Sequence, residues 1–405
     1  MNTSYHRVLW RQVWGLAALL AAIVFSWMAY NFYQPVILTK LGFIELAQSL
    51  GIIQGFLGAA IEPFAGSISD RSLRRIGSRL PGISVGITLA GLLFVATGLL
   101  LHSNIPLGLR WIIPVMMSFW IIATIIFRGP VISLLRQFAP TESLPAANSI
   151  LTFVVGLVGA IGPIFSRAIE FLGAANTFLL GAVMLMGGAV LLWSADPQMT
   201  ILSQRGFAND SNIDRDRNIS GAHSSQPRIL AAKDRHGEWL QIFGIGSIAG
   251  LLINILLRIC PQKLHTTLPI VPAEYIAAGM LLVCAIAAIP LESKVRKWGL
   301  NRSMLVSLLS ISIAIGVSLS ASFYLLSIAF EMAISSGIGF VIGLLLLSIP
   351  IWIAIASGIA MGLLLVAQIP WCLSRLPANQ AGLATGLYFG GVGAANAFLT
   401  LIIQL

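Results

Sequence analysis

Gly66-Ser67-Ile68-Ser69-Asp70-Arg71-Ser72-Leu73-Arg74-Arg75-Ile76-Gly77-Ser78-Arg79 sets five charged side chains between two long apolar runs, in a chain of 405 residues of which only 9% are charged. The flanking runs are long enough to cross roughly 30 Å of hydrocarbon as helix. With 57% hydrophobic residues and a mean hydropathy of +0.91, a soluble fold of this size cannot bury the apolar surface. The chain therefore reads as an all-α, polytopic integral membrane protein. The short alternating segments of a β-barrel are not its pattern.

Outward from that stretch, eleven spans are expected, at 13–34, 45–66, 82–102, 110–130, 147–168, 174–194, 238–258, 271–291, 303–326, 345–371 and 380–405. The first is read as an uncleaved span. A polar linker at 196–236 divides an N-terminal half, 1–195, from a C-terminal half, 237–405. The region 303–371 carries surplus length, expected as an interfacial or re-entrant piece around Glu331 to Gly343. Most of the 24 Lys and Arg fall on connections of one parity, whereas Lys40, Arg110, Arg167, Arg258 and Lys263 fall on the other. That asymmetry places the N-terminus and the linker on the cytoplasmic side of a cytoplasmic-type membrane, and it explains the net charge of +10 by topology rather than nucleic acid.

Soluble chemistry finds no footing. Cys260, Cys284 and Cys372 lack metal-ligand spacing and read as small core residues. The five histidines are scattered, so neither a metal site nor a catalytic triad is expected. The Gly-x-x-x-x-Gly-Lys-Ser/Thr phosphate cradle is missing, which argues against ATP-driven work. No cofactor is expected.

The halves echo each other. Ser69-Asp70-Arg71 through Gly77 has a counterpart in Leu291-Glu292-Ser293-Lys294 through Gly299, Pro130 with Arg136 in Pro370 with Arg375, and Gly156-Leu157-Val158-Gly159-Ala160 in Gly390-Gly391-Val392-Gly393-Ala394. Together with Gly66, Asp70, Arg71, Arg74, Arg75 and Gly77, this layout resembles the major facilitator superfamily, whose substrate path runs between two helical halves. The resemblance implies a fold of two pseudo-repeated halves with 11–12 spans, and a conformational latch at the 66–77 motif. Physically, a glycine admits a close neighbour, and an acid at that depth can cap a helix N-terminus and pair with arginines. The repeat leaves the sixth span without a counterpart in the second half.

A narrower resemblance rests on Glu62-Pro63-Phe64-Ala65-Gly66, Trp27 with Pro35, and Arg128-Gly129-Pro130 ahead of Leu134-Leu135 and Ala147-Asn148. These look like the sucrose transporter and glycoside-pentoside-hexuronide cation symporter group, which implies a sugar carrier coupled to H+ or Na+. Ile132 and Gln137 stand where sucrose carriers have an arginine and an acid associated with substrate binding and proton coupling.

Polar groups at membrane depth are costly and are the site candidates. Trp27, Tyr30 and Asn31 suit a sugar ring and its hydroxyls; a belt at the outer membrane interface accounts for them equally. Gln54, Asn254, Gln368 and Asn396 are mid-span amides that either line a cavity or pack against neighbouring helices. Arg128 faces a cavity or snorkels. Glu62 is a coupling site or the partner of a loop arginine. Asn148 reads as a helix cap, and Arg258 with Glu274 as a solvated loop face. The function expected is a secondary carrier of a small polar solute, a sugar first, with the lipid bilayer as its other partner. An exporter of amphipathic compounds and a non-transporting scaffold or receptor are the alternatives.

Overall fold

The computed structural model describes residues 8–103, 106–195, 228–268, 270–320 and 339–404. Among the described residues eleven helices are long and apolar enough to cross a membrane. They are α1 (Trp10–Lys40), α2 (Ile44–Ile76), α3 (Leu80–His102), α4 (Ile112–Ser133), α5 (Leu144–Ala160), α6 (Gly162–Ser194), α7 (Arg228–Arg258), α8 (Ala273–Trp298), α9 (Leu300–Leu319), α10 (Gly339–Arg375) and α11 (Ala381–Gln404). The protein is an integral, multi-pass membrane protein.

Proline and glycine punctuate the helices as their chemistry requires. Prolines occupy the first turns of α3, α5 and α6, where a missing N–H costs nothing. Gly77 ends α2 at φ 77°, and its N–H returns to the Leu73 carbonyl at 2.9 Å, a left-handed cap that a Cβ would strain. Gly173, at φ 77° and ψ 162°, breaks α6 into two helical pieces, so the break between the fifth and sixth spans lies there.

Two differences from the sequence reading concern the linker and the crowded region. Residues 228–236, read as linker, are the first turns of α7. Gly339 to Gly343, read as part of a re-entrant piece, open the continuous helix α10, while Glu331 lies outside the described residues.

Helices α1 to α6 share one core. Trp120 of α4 stacks between Tyr30 of α1 at 4.6 Å and Phe94 of α3 at 4.4 Å between ring centroids, and Phe94 meets Phe178 of α6 edge-on at 4.9 Å. Gly181 and Gly188 of α6 receive the Phe94 ring and the Leu19 backbone. A second core joins α7 to α11 through Met280, Cys284, Ile311, Met361, Trp371 and Tyr388. All three cysteines are free and buried, as core residues should be.

The halves meet along α2 with α11 and α5 with α8. Gly55, Gly58 and Gly66 of α2 face Gly382, Gly386, Gly390 and Gly393 of α11, and without side chains between them the two backbones run in contact. Among the described residues this pairing is the most extensive.

Candidate functional site

Asp70 sits one turn beyond Gly66 on the face of α2 that meets α11. Its Oδ1 accepts the Gly382 N–H at 2.9 Å and its Oδ2 the Leu383 N–H at 2.8 Å. These are donors in the first turn of α11, which have no partner within their own helix and carry the positive end of its dipole. The arginine opposite Asp70 is Arg79, which donates to Oδ1 at 2.5 Å, with side-chain exposures of 0% and 3% for Arg79 and Asp70. Arg79 also donates to the carbonyls of Ser133 and Ala378, both at 3.3 Å, so it ties α4 and the turn before α11 into the same clamp.

The loop arginines are placed otherwise than the sequence suggests. Arg71 and Arg75 are exposed, and Arg74 reaches only the Asn379 carbonyl at 3.5 Å. The ten residues from Asp70 to Arg79 fold back at Gly77, and that turn, rather than adjacency in sequence, selects the partner. The echo of the motif in the second half lacks this geometry. Glu292, the counterpart of Asp70, makes an intrahelical pair with Arg296 at 3.7 Å, and both are partly exposed. A second contact between the halves uses Asn148 of α5. It is no helix cap: its Nδ2 crosses from α5 to α10 and donates to the Leu365 and Val366 carbonyls at 2.8 and 3.0 Å. Pro370 explains the vacancy, because a proline has no N–H to offer the carbonyl four residues earlier, here Val366. Thr385 of α11 adds a further crossing bond, to the Gly129 carbonyl at 3.0 Å.

Two turns up α2 from Asp70, about 12 Å along the axis, a cavity of about 190 Å³ opens between the halves. Trp27, Gln54, Glu62 and Arg128 line it from α1, α2 and α4, and Asn254, Arg258 and Asn396 from α7 and α11. Glu62 is 1% exposed and forms a close ion pair with Arg128, not with a loop arginine. The Arg128 guanidinium also lies 5.1 Å from the centre of the Phe389 ring, so a first-half cation rests on a second-half aromatic. Arg258, read from sequence as part of a loop face, instead borders the cavity and donates to Asn396 Oδ1 at 3.2 Å and Thr400 Oγ1 at 3.4 Å.

Three sequence candidates lie elsewhere. Tyr30 is buried behind Trp27 in the Trp120 stack, Asn31 is exposed, and Gln368 is buried and accepts the Tyr388 hydroxyl at 2.8 Å. Among the described residues no cluster of His, Cys, Asp or Glu has the makings of a metal site.

No protein-family model matches the sequence, and no curated protein matches it. Solved structures do. The proton:xylose symporter XylE of the major facilitator superfamily, bound to 6-bromo-6-deoxy-D-glucose, aligns over 100% of this chain and 89% of its own with a TM-score of 0.60 at 14% identity. The chain has the major facilitator fold. A bacterial homologue of the iron transporter ferroportin, in an outward-facing state, aligns over 98% of this chain and 91% of its own, again with a TM-score of 0.60 and 14% identity. At that identity the likeness concerns architecture.

Proposed function

We propose that this chain is a secondary transporter of the major facilitator superfamily, not an enzyme, and that it moves a small polar solute by alternating access. The single observation that carries the reading is a polar cavity built from both halves, closed toward the turn at Gly77 by bonds that cross between them. Residues 1–195 and 237–405 are the moving bodies, with the linker between them cytoplasmic, and separation of α2 from α11 at Asp70 opens the closed end. The first solute class is a sugar, by the resemblance to the sucrose and glycoside-pentoside-hexuronide carriers. Trp27 supplies an apolar face, and Gln54, Asn254 and Asn396 supply amides. Glu62 is the coupling group: protonation or a sodium ion would release Arg128, and the charge at the half-to-half contact with Phe389 would change with it.

Reconstitution tests this. Proteoliposomes holding unlabelled sugars should take up labelled sugar by counterflow, and should accumulate it when a proton or sodium gradient is imposed. We expect Glu62→Gln to abolish gradient-driven accumulation while counterflow continues, the mark of lost coupling with an intact path. Undiminished accumulation by that variant would remove Glu62 from the coupling role, and a complete lack of sugar counterflow would end the sugar reading.

A further inference from the structure

We propose that the solute of this cavity is a small organic anion, a monocarboxylate that also bears hydroxyl groups; the inference rests on the transporter reading and puts a sugar acid in place of its neutral sugar. The ionisable groups lining the cavity are Glu62, Arg128 and Arg258. Glu62 and Arg128 neutralise each other, which leaves Arg258 as a surplus positive charge. Its own acceptors are neutral and distant, Asn396 Oδ1 at 3.2 Å and Thr400 Oγ1 at 3.4 Å. Among the described residues no carboxylate pairs with it. Arg258 is exposed at the rim of the cavity, where a guanidinium without a protein counter-charge is free to accept a carboxylate in a two-pronged, charge-assisted geometry.

A second observation points the same way. Trp27 Nε1 and Arg128 Nε are buried donors without an acceptor in the protein, and Glu62 Oε2 is a buried acceptor without a donor. All three residues line the cavity. Two unpaired donors suit an oxyanion and the unpaired carboxylate oxygen suits a hydroxyl on the same solute, once the side chains that cover these buried atoms shift to admit it. A neutral sugar offers Arg258 no counter-charge, and a zwitterion would bring a second cation to a site already positive. A phosphate offers the same oxyanion chemistry but about −1.5 to −2 charges near neutral pH, more than the single surplus cation balances. A cavity of about 190 Å³ suits a small solute.

Calorimetric titration of the purified full chain at low salt, with gluconate, inorganic phosphate, glucose and serine in turn, is the test. Gluconate should bind at least tenfold more tightly than glucose or serine and more tightly than phosphate. Arg258→Gln should weaken gluconate roughly tenfold or more, whereas Arg258→Lys, which keeps the charge but loses the fork, should weaken it less. Asn396→Asp, which supplies Arg258 with an internal carboxylate, should weaken gluconate in the same way, and it serves should Arg258→Gln fail to fold. Glucose or serine binding as tightly as gluconate, phosphate binding more tightly, no gluconate binding, or a gluconate affinity indifferent to residues 258 and 396 would each overturn the inference. Gluconate binding that depends on Arg258, without gluconate counterflow in proteoliposomes, removes the transporter reading and leaves the anion site standing.

Discussion

Asp70→Ala is expected to loosen the loop end of the bundle and to lower stability by about 3–5 kcal/mol, the range for a buried ion pair that loses one partner. The reasons are local. Arg79, with 0% side-chain exposure, would keep its charge with only carbonyls around it. The Gly382 and Leu383 N–H groups would lose a charged acceptor at the same time. Asp70→Asn should be milder, since an amide oxygen still accepts one backbone donor. Two readouts separate lost stability from altered gating: the melting temperature, and the distance between spin labels placed by Arg75→Cys and Asn379→Cys, both exposed and on opposite sides of the clamp. The labels should move apart in Asp70→Ala and much less in Asp70→Asn. An unchanged distance together with an unchanged melting temperature would dismiss the clamp.

The second large effect is expected at Gly66. A methyl group there would run into the carbonyl oxygen of Gly382, which belongs to a rigid helix backbone and has no rotamer by which to give way. Overpacking of this kind costs about 1–3 kcal/mol in a well-packed interior. Here the cheapest relief is for α2 and α11 to part, because the contact is one of backbone against backbone. Gly66→Ala should therefore lengthen the same label-to-label distance while the Asp70–Arg79 pair, which lies within the first half, survives. Gly51→Ala is the control: it is on the same helix, has nothing within 4 Å of the added methyl, and should leave the distance as it is. Equal behaviour of the two variants would show that helix propensity, not the close approach, governs the contact.

The fold was legible because hydrophobic length and positive charge are read directly from sequence. Eleven apolar runs separated by basic turns leave few architectures, and the glycines of α2 and α11 mark the pair of helices that must touch. The cavity was partly legible. Trp27, Gln54, Glu62, Arg128, Asn254 and Asn396 stand out as polar or amphipathic groups in apolar surroundings, and all of them line it. What sequence does not supply is the face on which a residue lies and the partner it finds across the bundle. Arg258 follows the last apolar turn of its span, so it reads as a loop residue, although its helix carries it to the cavity edge. Tyr30 and Gln368 satisfy the same criterion as their cavity neighbours but point into cores, where aromatic stacking and the Tyr388 hydroxyl occupy them. Arg79 was one arginine among several, chosen by a turn at Gly77 that positions it and no other over Asp70.

Helix α10 contains a defect of its own making. Pro370 withdraws a donor from the carbonyl of Val366, and the repair comes from Asn148 in the other half. A broken rung in one ladder is mended by a neighbour only while the two bodies are together, so parting them re-exposes an unsatisfied carbonyl in the middle of an apolar protein. Under the proposed alternating access, the bonding of α10 at Pro370 and the closure of that end of the molecule would be parts of one equilibrium.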